Sequence, residues 1–348
     1  KAIYYYSLAS NHNYPQAQFN LGLIYERGEY VKRDINKAIY YYSLASNQNY
    51  LQAQFSLGVI YSRGEYVKRD INKAIYYYSL ASNHNYPQAQ YNLGLIYYSG
   101  LYCKQDIHKG KQYIMRSSYY EYRPANFAHG FLLHKENKIT EAIHYYKEAS
   151  SFNIQYAKNN LGIIYKHGFG EEIPKRIGNS IEYFEEAIRQ KNDILSMYNL
   201  AHIHVYEETI KQDIDKSIEL LIKSSNEFKH SFILLCIVLI KRFGFNIETI
   251  RSEVAKRLEK TNELYAEIMT AIYLLIESGE FYYLYKKYRN KDFLYDVLLD
   301  HICSSDLQKE NTDEKEKDPN LKDISEDFYE GFGYDLINAN SNSYTKDS

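Results

Sequence analysis

The most constraining feature of this chain is a 36-residue unit that is written three times, almost unchanged, from the first residue. Residues 1–36, 37–72 and 73–108 each begin with the same eleven residues, KAIYYYSLASN, and the first two copies differ at only five positions. Weaker copies continue to about residue 243. A period of this length is typical of stacked repeats, because each unit is too small to bury its own apolar face.

Each copy contains two helical patterns. Residues 34–47 predict one helix, because Asp34 is a suitable N-cap and apolar residues follow at helical spacing. Residues 15–27 predict a second helix, with Pro15 in the first turn, where its missing N–H is harmless, and Gly28 at the end. The unit is therefore predicted to be a helix pair.

Glycine recurs in the middle of the second helix of the pair, where it costs about 1 kcal/mol relative to alanine. A small residue repeated at this point predicts that the backbone of another helix passes close by. The glycines are Gly22, Gly58, Gly94, Gly130 and Gly162. Counting the starts of the first helix predicts seven units, which begin at Lys1, Lys37, Lys73, Lys109, Glu141, Asn179 and Lys216.

The ordered positions of the unit resemble the Sel-one-like (Sel-1-like) repeat, a branch of the tetratricopeptide superfamily. The matching residues are Ala17, Leu21, Gly22, Tyr25, Gly28, Val31, Asp34, Lys37, Ala38, Tyr41, Tyr42 and Ala45. Two departures are mild: Tyr30 replaces a second glycine after Gly28, and Asn13, Asn49 and Asn85 replace a glycine between the helices. The resemblance implies an all-α fold, a right-handed α-solenoid (superhelix) of stacked helix-turn-helix repeats, and a role as a scaffold or adaptor.

The sequence divides into three parts. Residues 1–243 contain the repeats, and we expect the chain to be a fragment with a truncated first repeat, because it starts inside a repeat and without Met. Residues 249–303 keep a helical pattern and are expected to form a capping region, with a separate binding module as the alternative. Residues 304–348 are predicted to be a disordered acidic tail. The acidic-aromatic stretch 323–329 is either solvated tail or a docking peptide.

The bulk composition argues against several functional classes. The net charge is −2, so no basic excess exists to bind phosphates, and we expect no nucleic acid partner. The longest apolar run, residues 232–240, is too short to span a bilayer, and we expect no membrane partner. Three cysteines without metal-type spacing indicate a reducing compartment, so we expect a cytoplasmic protein.

Two short motifs suggest chemistry, and both have a simpler structural explanation. His202 and His204 are two residues apart, so on a helix they point to different faces and cannot easily share a metal ion. Gly168 and Gly170 resemble part of a phosphate loop but lack the preceding strand and a Lys-Ser pair. No catalytic constellation is visible, so we expect a non-enzymatic protein without a cofactor, a metal site or a small-molecule substrate.

The face of the second helix that points away from Ala17, Leu21 and Tyr25 is the best candidate for partner binding. In the superfamily these helices line the inner groove, so the resemblance implies that this face contacts protein or peptide partners. Three of the five differences between the first two copies fall on it, although drift of an ordinary solvated surface explains them equally well. The predicted partner-binding residues are Asn20, Leu23, Arg27, Ser56, Val59, Arg63, Asn92, Leu95 and Ser99.

Two functions remain open at this point. The first is a protein-protein interaction scaffold or adaptor that holds a protein or peptide along the solenoid groove. The alternative is the regulatory repeat region of a larger enzyme, for example a protein kinase, whose catalytic domain lies upstream of Lys1. A third interpretation, protein quality control at the endoplasmic reticulum, fits less well because those family members carry a membrane anchor.

Overall fold

The described part of the protein is helical throughout. The computed structural model describes residues 1–258, except 29, 101, 152–153 and 245, together with Leu264, Ala266, Ile268, Met269 and Ile272. These residues form fifteen α-helices and no strand, with one isolated bridge between Phe169 and Ile173. The chain separates into two compact units, of which the first spans Lys1–Ile154 and the second begins at Gln155.

The helices follow one another as pairs. The first unit contains α1 (Ala2–Asn11), α2 (Pro15–Arg27), α3 (Ile35–Ser46), α4 (Leu51–Arg63), α5 (Ile71–Asn83), α6 (Pro87–Ser99), α7 (Ile107–Tyr119), α8 (Arg123–Lys135) and α9 (Ile139–Ser150). The second unit contains α10 (Gln155–His167), α11 (Ile177–Lys191), α12 (Ile194–Tyr206), α13 (Ile214–Ser225), α14 (Lys229–Phe243) and α15 (Ile247–Ala255). The predicted fold class, all-α with stacked helix-turn-helix repeats of the α-solenoid type, is confirmed.

Aspartate starts the first helix of several pairs. The Asp34 carboxylate accepts a hydrogen bond from the Lys37 backbone N–H over 3.0 Å, as its sequence position predicts. Asp70, Asp106 and Asp213 make the same bond in their own repeats. Each bond satisfies one of the backbone donors that a helix leaves unpaired at its start.

Asparagine and glycine terminate the helices by taking the left-handed conformation. Asn13, Asn49 and Asn85 have φ values of 67°, 59° and 59°, so asparagine replaces the usual glycine at this turn without leaving its conformation. Gly28 and its copies also have a positive φ, at the end of the second helix. The two turns fix where each helix of the pair ends.

The repeated mid-helix glycine faces an aromatic ring rather than a helix backbone, which corrects the prediction. A Cβ atom on Gly22 would lie 2.4 Å from the ring of Tyr42, and one on Gly58 would lie 2.4 Å from the ring of Tyr78. At Gly94 the facing residue is Ile114, and there the backbone does approach, since the Cβ would lie 3.1 Å from the Ile114 nitrogen. The glycine therefore makes room for the side chain that the next helix presents.

The second unit has a more aliphatic core than the first. Its cluster of buried residues includes seven consecutive residues of α14, 234–240, together with Leu264, Ile268 and Ile272. These three residues belong to the segment 249–303 for which a cap is predicted, and they pack on the core of this unit. The rest of that segment beyond residue 258, apart from the residues named above, and the acidic tail 304–348 lie outside the described residues.

Candidate protein-binding groove

Alternate helices form the surface on which a partner is predicted to bind. We call α2, α4, α6 and α8 the groove helices of the first unit, and α10, α12 and α14 those of the second. Each groove helix of the first unit packs on the helices before and after it in sequence, and α4 also contacts α6 directly. In the second unit α12 and α14 pack in the same way, and α10 packs on α11 and contacts α12. Direct contact between alternate helices places them on the tighter side of a stack.

The polar row predicted to contact partners is half-buried and has internal roles. Asn92 Nδ2 donates a hydrogen bond to the Tyr78 hydroxyl over 3.0 Å. Ser56 on α4 forms a hydrogen bond with the Tyr42 hydroxyl on α3. Asn20 is half-buried in the first groove helix. Ser56 and Asn92 therefore support buried tyrosines as well as lying on the groove helices.

The Tyr42 hydroxyl also binds the only carboxylate of the groove helices in the first unit. Its O–H donates to Glu26 Oε2, and burial together with the Glu26 charge raises the pKa of Tyr42 above its usual value. In the next repeat Ser62 takes the place of Glu26, and its hydroxyl lies 3.1 Å from that of Tyr78. The Glu26 carboxylate on α2 is thus hydrogen-bonded to a side chain of the next helix, α3.

The apolar residues among the predicted contacts, Leu23, Val59 and Leu95, form a row that is accessible to solvent at one end and buried at the other. Leu23 and Val59 are half-buried, so both leave part of the side chain accessible. Leu95, the third predicted residue of this row, is only 1% exposed, and its side chain cannot offer a contact surface in this structure. Phe131 holds the same position in α8 and is fully buried. The accessible apolar surface therefore lies on α2 and α4.

A row of cations lies near the C-terminal ends of the groove helices. Arg27 and Arg63, two of the predicted partner-binding residues, are exposed. Ser99, the third predicted residue, is half-buried and donates to the Ile96 carbonyl. Sequence reasoning missed Lys135, which is exposed at the same register in α8. The sequence itself indicates this position, because Lys135 follows Gly130 by the same interval that separates Arg27 from Gly22.

The histidine pair of α12 takes part in packing. His204 is 7% exposed at the position of Tyr25, and burial lowers its pKa. The pKa of His202 is lowered by burial first and then by the charges of Lys166 and His167. Over the part of the chain that the structure describes, no group of three or more His, Cys, Asp or Glu side chains is arranged to hold a metal ion.

No described helix is long and apolar enough to cross a lipid bilayer. Burial in α14 raises the pKa of Cys236 to about 12, which disfavours the thiolate form. Cys103 is half-buried in the loop after α6 and is also a free thiol.

Solved structures with a related fold are repeat proteins. A Sel1 repeat protein from Oxalobacter formigenes aligns with a TM-score of 0.53 and 24% identity, covering 62% of this chain and 89% of that one. The protective antigen c5321 of uropathogenic Escherichia coli, which has an SLR fold, aligns with a TM-score of 0.54 and 18% identity, covering 82% of this chain and 74% of that one. The comparison with curated proteins gave no match.

The repeats are also recognised by a family model along most of the helical chain. The Sel1 repeat model matches residues 1–14, 15–50, 51–86, 87–114, 128–151, 155–192 and 194–227. Each complete match runs from a groove helix to the end of the helix that follows it. Because these matches cover more than half of the chain, the protein belongs to the Sel1 repeat family.

Proposed function

We propose that this chain is a non-enzymatic scaffold or adaptor that binds a protein or peptide along the groove helices of its first unit. Sel1 repeat proteins are, as a class, protein-interaction scaffolds. The observation that supports this surface is the pair of exposed arginines, Arg27 and Arg63, beside the half-buried Leu23 and Val59. Arginine next to apolar side chains is a composition that favours strong contacts in protein interfaces.

The spacing of the row suits an elongated partner. Packed helices lie roughly 8–10 Å apart, so residues at one register on successive groove helices form a row of regular pitch. An extended segment or a helix laid across α2 and α4 would meet one arginine and one aliphatic side chain on each. Asn20, Ser56 and Asn92 would add polar contacts at the same pitch. Affinity would then come from several modest contacts.

The proposal is tested by truncating three side chains of the row, none of which is fully buried. The variant Leu23→Ala, Arg27→Ala, Arg63→Ala should bind a partner, identified by cross-linking to the full chain, at least tenfold more weakly than the unchanged protein does. The matched control carries three changes on the opposite helices: Tyr40→Ala, Tyr76→Ala and Lys147→Ala. All three control residues are exposed on α3, α5 and α9.

The control distinguishes binding to the groove helices from binding to the helices between them. If the control variant loses the partner and the groove variant keeps it, the outer helices form the binding surface and the proposal is wrong. Circular dichroism of both variants should match the unchanged protein, because none of the altered side chains is fully buried.

We further propose a cytoplasmic location, which the free thiols of Cys103 and Cys236 support.

A further inference from the structure

The net charge of −2 conceals a strong asymmetry along the chain. Residues 1–154, which contain α1 to α9, carry 17 Lys or Arg and 10 Asp or Glu, a net charge of +7. Residues 304–348 carry 5 Lys and 12 Asp or Glu, a net charge of −7. These two parts of the chain have equal and opposite charge, and such parts attract one another until salt screens them.

The groove helices of the first unit hold part of this positive charge in an ordered arrangement. Together α2, α4, α6 and α8 contain four Arg or Lys residues and a single carboxylate, Glu26. Glu26 accepts the hydrogen bond of Tyr42, while Arg27, Arg63 and Lys135 are exposed at one register. The groove helices therefore carry three exposed cations at one register and one carboxylate, and Lys135 Nζ also lies 5.0 Å from the centre of the Phe131 ring.

The acidic region contains one stretch that is suited to more than charge attraction. Residues 323–336 read DISEDFYEGFGYDL, with five acidic residues, four aromatic residues and no Lys or Arg. The rest of the region mixes Lys with Asp and Glu and has few aromatic residues. Acidic side chains can pair with arginine, and aromatic rings can bury apolar area and stack on guanidinium groups. This stretch lies outside the described residues.

The first unit already uses arginine and tyrosine together on its surface. The Arg33 guanidinium lies 4.9 Å from the centre of the Tyr66 ring, and Arg69 lies 4.5 Å from that of Tyr102. Both contacts join one repeat to the next across an exposed loop. An arginine on a groove helix can receive an aromatic ring from another segment in the same way, while half-buried Leu23 and Val59 supply apolar contact.

We propose that residues 323–336 dock on the groove of the first unit, with their carboxylates on Arg27, Arg63 and Lys135 and their aromatic rings on the surface of α2 and α4. The inference rests on the proposed function, because it names an occupant for the same surface. It also defines the chemical class of the external partner, which is an acidic peptide with interspersed aromatic residues. The chain's own segment competes with that partner for the groove.

Peptide binding to a full-length chain with a neutralised segment tests the docking. The receptor carries Asp323→Asn, Glu326→Gln, Asp327→Asn, Glu330→Gln and Asp335→Asn, which remove the internal competitor without shortening the protein. The probe is a fluorescein-labelled peptide with the natural sequence of residues 320–338. Fluorescence anisotropy should show saturable binding that weakens at least tenfold when NaCl is raised from 50 to about 500 mM.

Charge reversal at groove positions, compared with charge reversal at positions outside the groove helices, locates the peptide-binding site. In the same receptor, Arg27→Glu with Arg63→Glu should weaken peptide binding at least tenfold. The matched control, Lys147→Glu with Lys223→Glu, makes the same change in net charge at exposed positions outside the groove helices. It should leave the affinity within twofold. Equal weakening by both pairs would show a diffuse charge effect and overturn the docking site.

A second peptide separates docking from simple charge attraction. Replacing Phe328, Tyr329, Phe332 and Tyr334 by Ser keeps the charge of the probe, and affinity should fall at least fivefold. If this peptide, or an oligonucleotide of similar charge, binds as tightly as the natural sequence, the groove is a general anion surface and the proposal fails.

Hydrogen exchange of the unaltered full chain tests whether the segment docks in its own molecule. Amides in residues 323–336 should exchange more slowly than in the Arg27→Glu, Arg63→Glu variant, and equally at two protein concentrations tenfold apart. Exchange at unprotected rates would overturn the self-docking. A cross-linked partner that still depends on Leu23, Arg27 and Arg63 in that event would leave the scaffold function standing, so the two failures are distinguishable.

Discussion

The residue at the mid-helix glycine position of a groove helix and the side chain that faces it are complementary in size. Comparing the repeats of this chain shows this. Glycine on the groove helix faces a Tyr or Phe ring in most repeats. At Gly94 the facing residue is Ile114, and α7 carries Gly110 where the other first helices have Ala or Ser. In the last complete pair Ala201 replaces the glycine, and Leu221 stands in the register of the ring. Where an aliphatic side chain replaces the ring, either the two helices approach more closely or a larger residue replaces the glycine.

The first prediction tests this size match. Gly58→Ala should lower the free energy of unfolding by about 1–3 kcal/mol, because the new Cβ would lie 2.4 Å from the Tyr78 ring. Adding Tyr78→Leu, which reproduces the Ala201 and Leu221 pair, should cost less than the two single changes combined. Urea denaturation of the four proteins measures this coupling. Gly178→Ala is the control, since a Cβ there would meet nothing within 4 Å.

The second prediction concerns the pH dependence of stability. Burial lowers the pKa of His134 to about 4, below its usual value of 6.5. The unfolded chain therefore binds more protons than the folded protein between these values, so the contribution is complete above about pH 6.5 and is lost as the pH falls through this window. His134→Leu should remove about 2 kcal/mol of the decline in unfolding free energy between pH 7 and pH 5. An unchanged decline would show that His134 accepts a proton in the folded protein.

At the scale of the element, identical sequences have different surroundings. The eleven residues KAIYYYSLASN occur at the start of the chain and again from Lys37 and Lys73. Tyr42 and Tyr78 are no more than 1% exposed, because each ring packs against the groove helix before it. In α1 the equivalent ring, that of Tyr6, is only half-buried, and Ala2 is exposed where Ala38 is fully buried. Helix stability in a repeat depends on such neighbours more than on intrinsic propensity.

The third prediction follows from that comparison. Amide hydrogens in residues 2–11 should exchange at least tenfold faster than those in residues 38–47 and 74–83. The comparison carries its own control, since the three peptides have the same sequence and therefore nearly the same intrinsic exchange rates. Equal protection in all three would contradict the prediction and would indicate that another helix covers α1 in solution.

Much of the local structure could be predicted because caps and turns are encoded by single residues. The second helix was predicted from Pro15 to Arg27 and has those bounds, and Asp34 caps the next helix as expected. The burial of Leu95 could not be predicted from the copies, since Leu23 at the same register is half-buried. Burial at that register depends on what the neighbouring helices carry, and the pattern of one helix does not show this.

At the scale of the whole molecule, the contacts remain local in sequence. Within each unit the helices pack chiefly on their neighbours in sequence, and the strongest contacts join a groove helix to the next helix in the chain. Such a protein is stabilised by nearest-neighbour interfaces, so a lesion in one repeat weakens its neighbours first. Local stability can then differ along a single folded chain.

The last prediction places a lesion in the first unit and measures both units. Gly58→Leu should insert a bulky side chain against the Tyr78 ring and destabilise α4 and α5 by roughly 1–3 kcal/mol or more, although the ring can shift to relieve part of the clash. Hydrogen exchange should accelerate from α3 to α6 and stay unchanged from α11 to α14, whose buried residues belong to a separate cluster. Exchange that accelerates equally in both regions would show that the chain unfolds as one cooperative body, and the nearest-neighbour description would then be wrong.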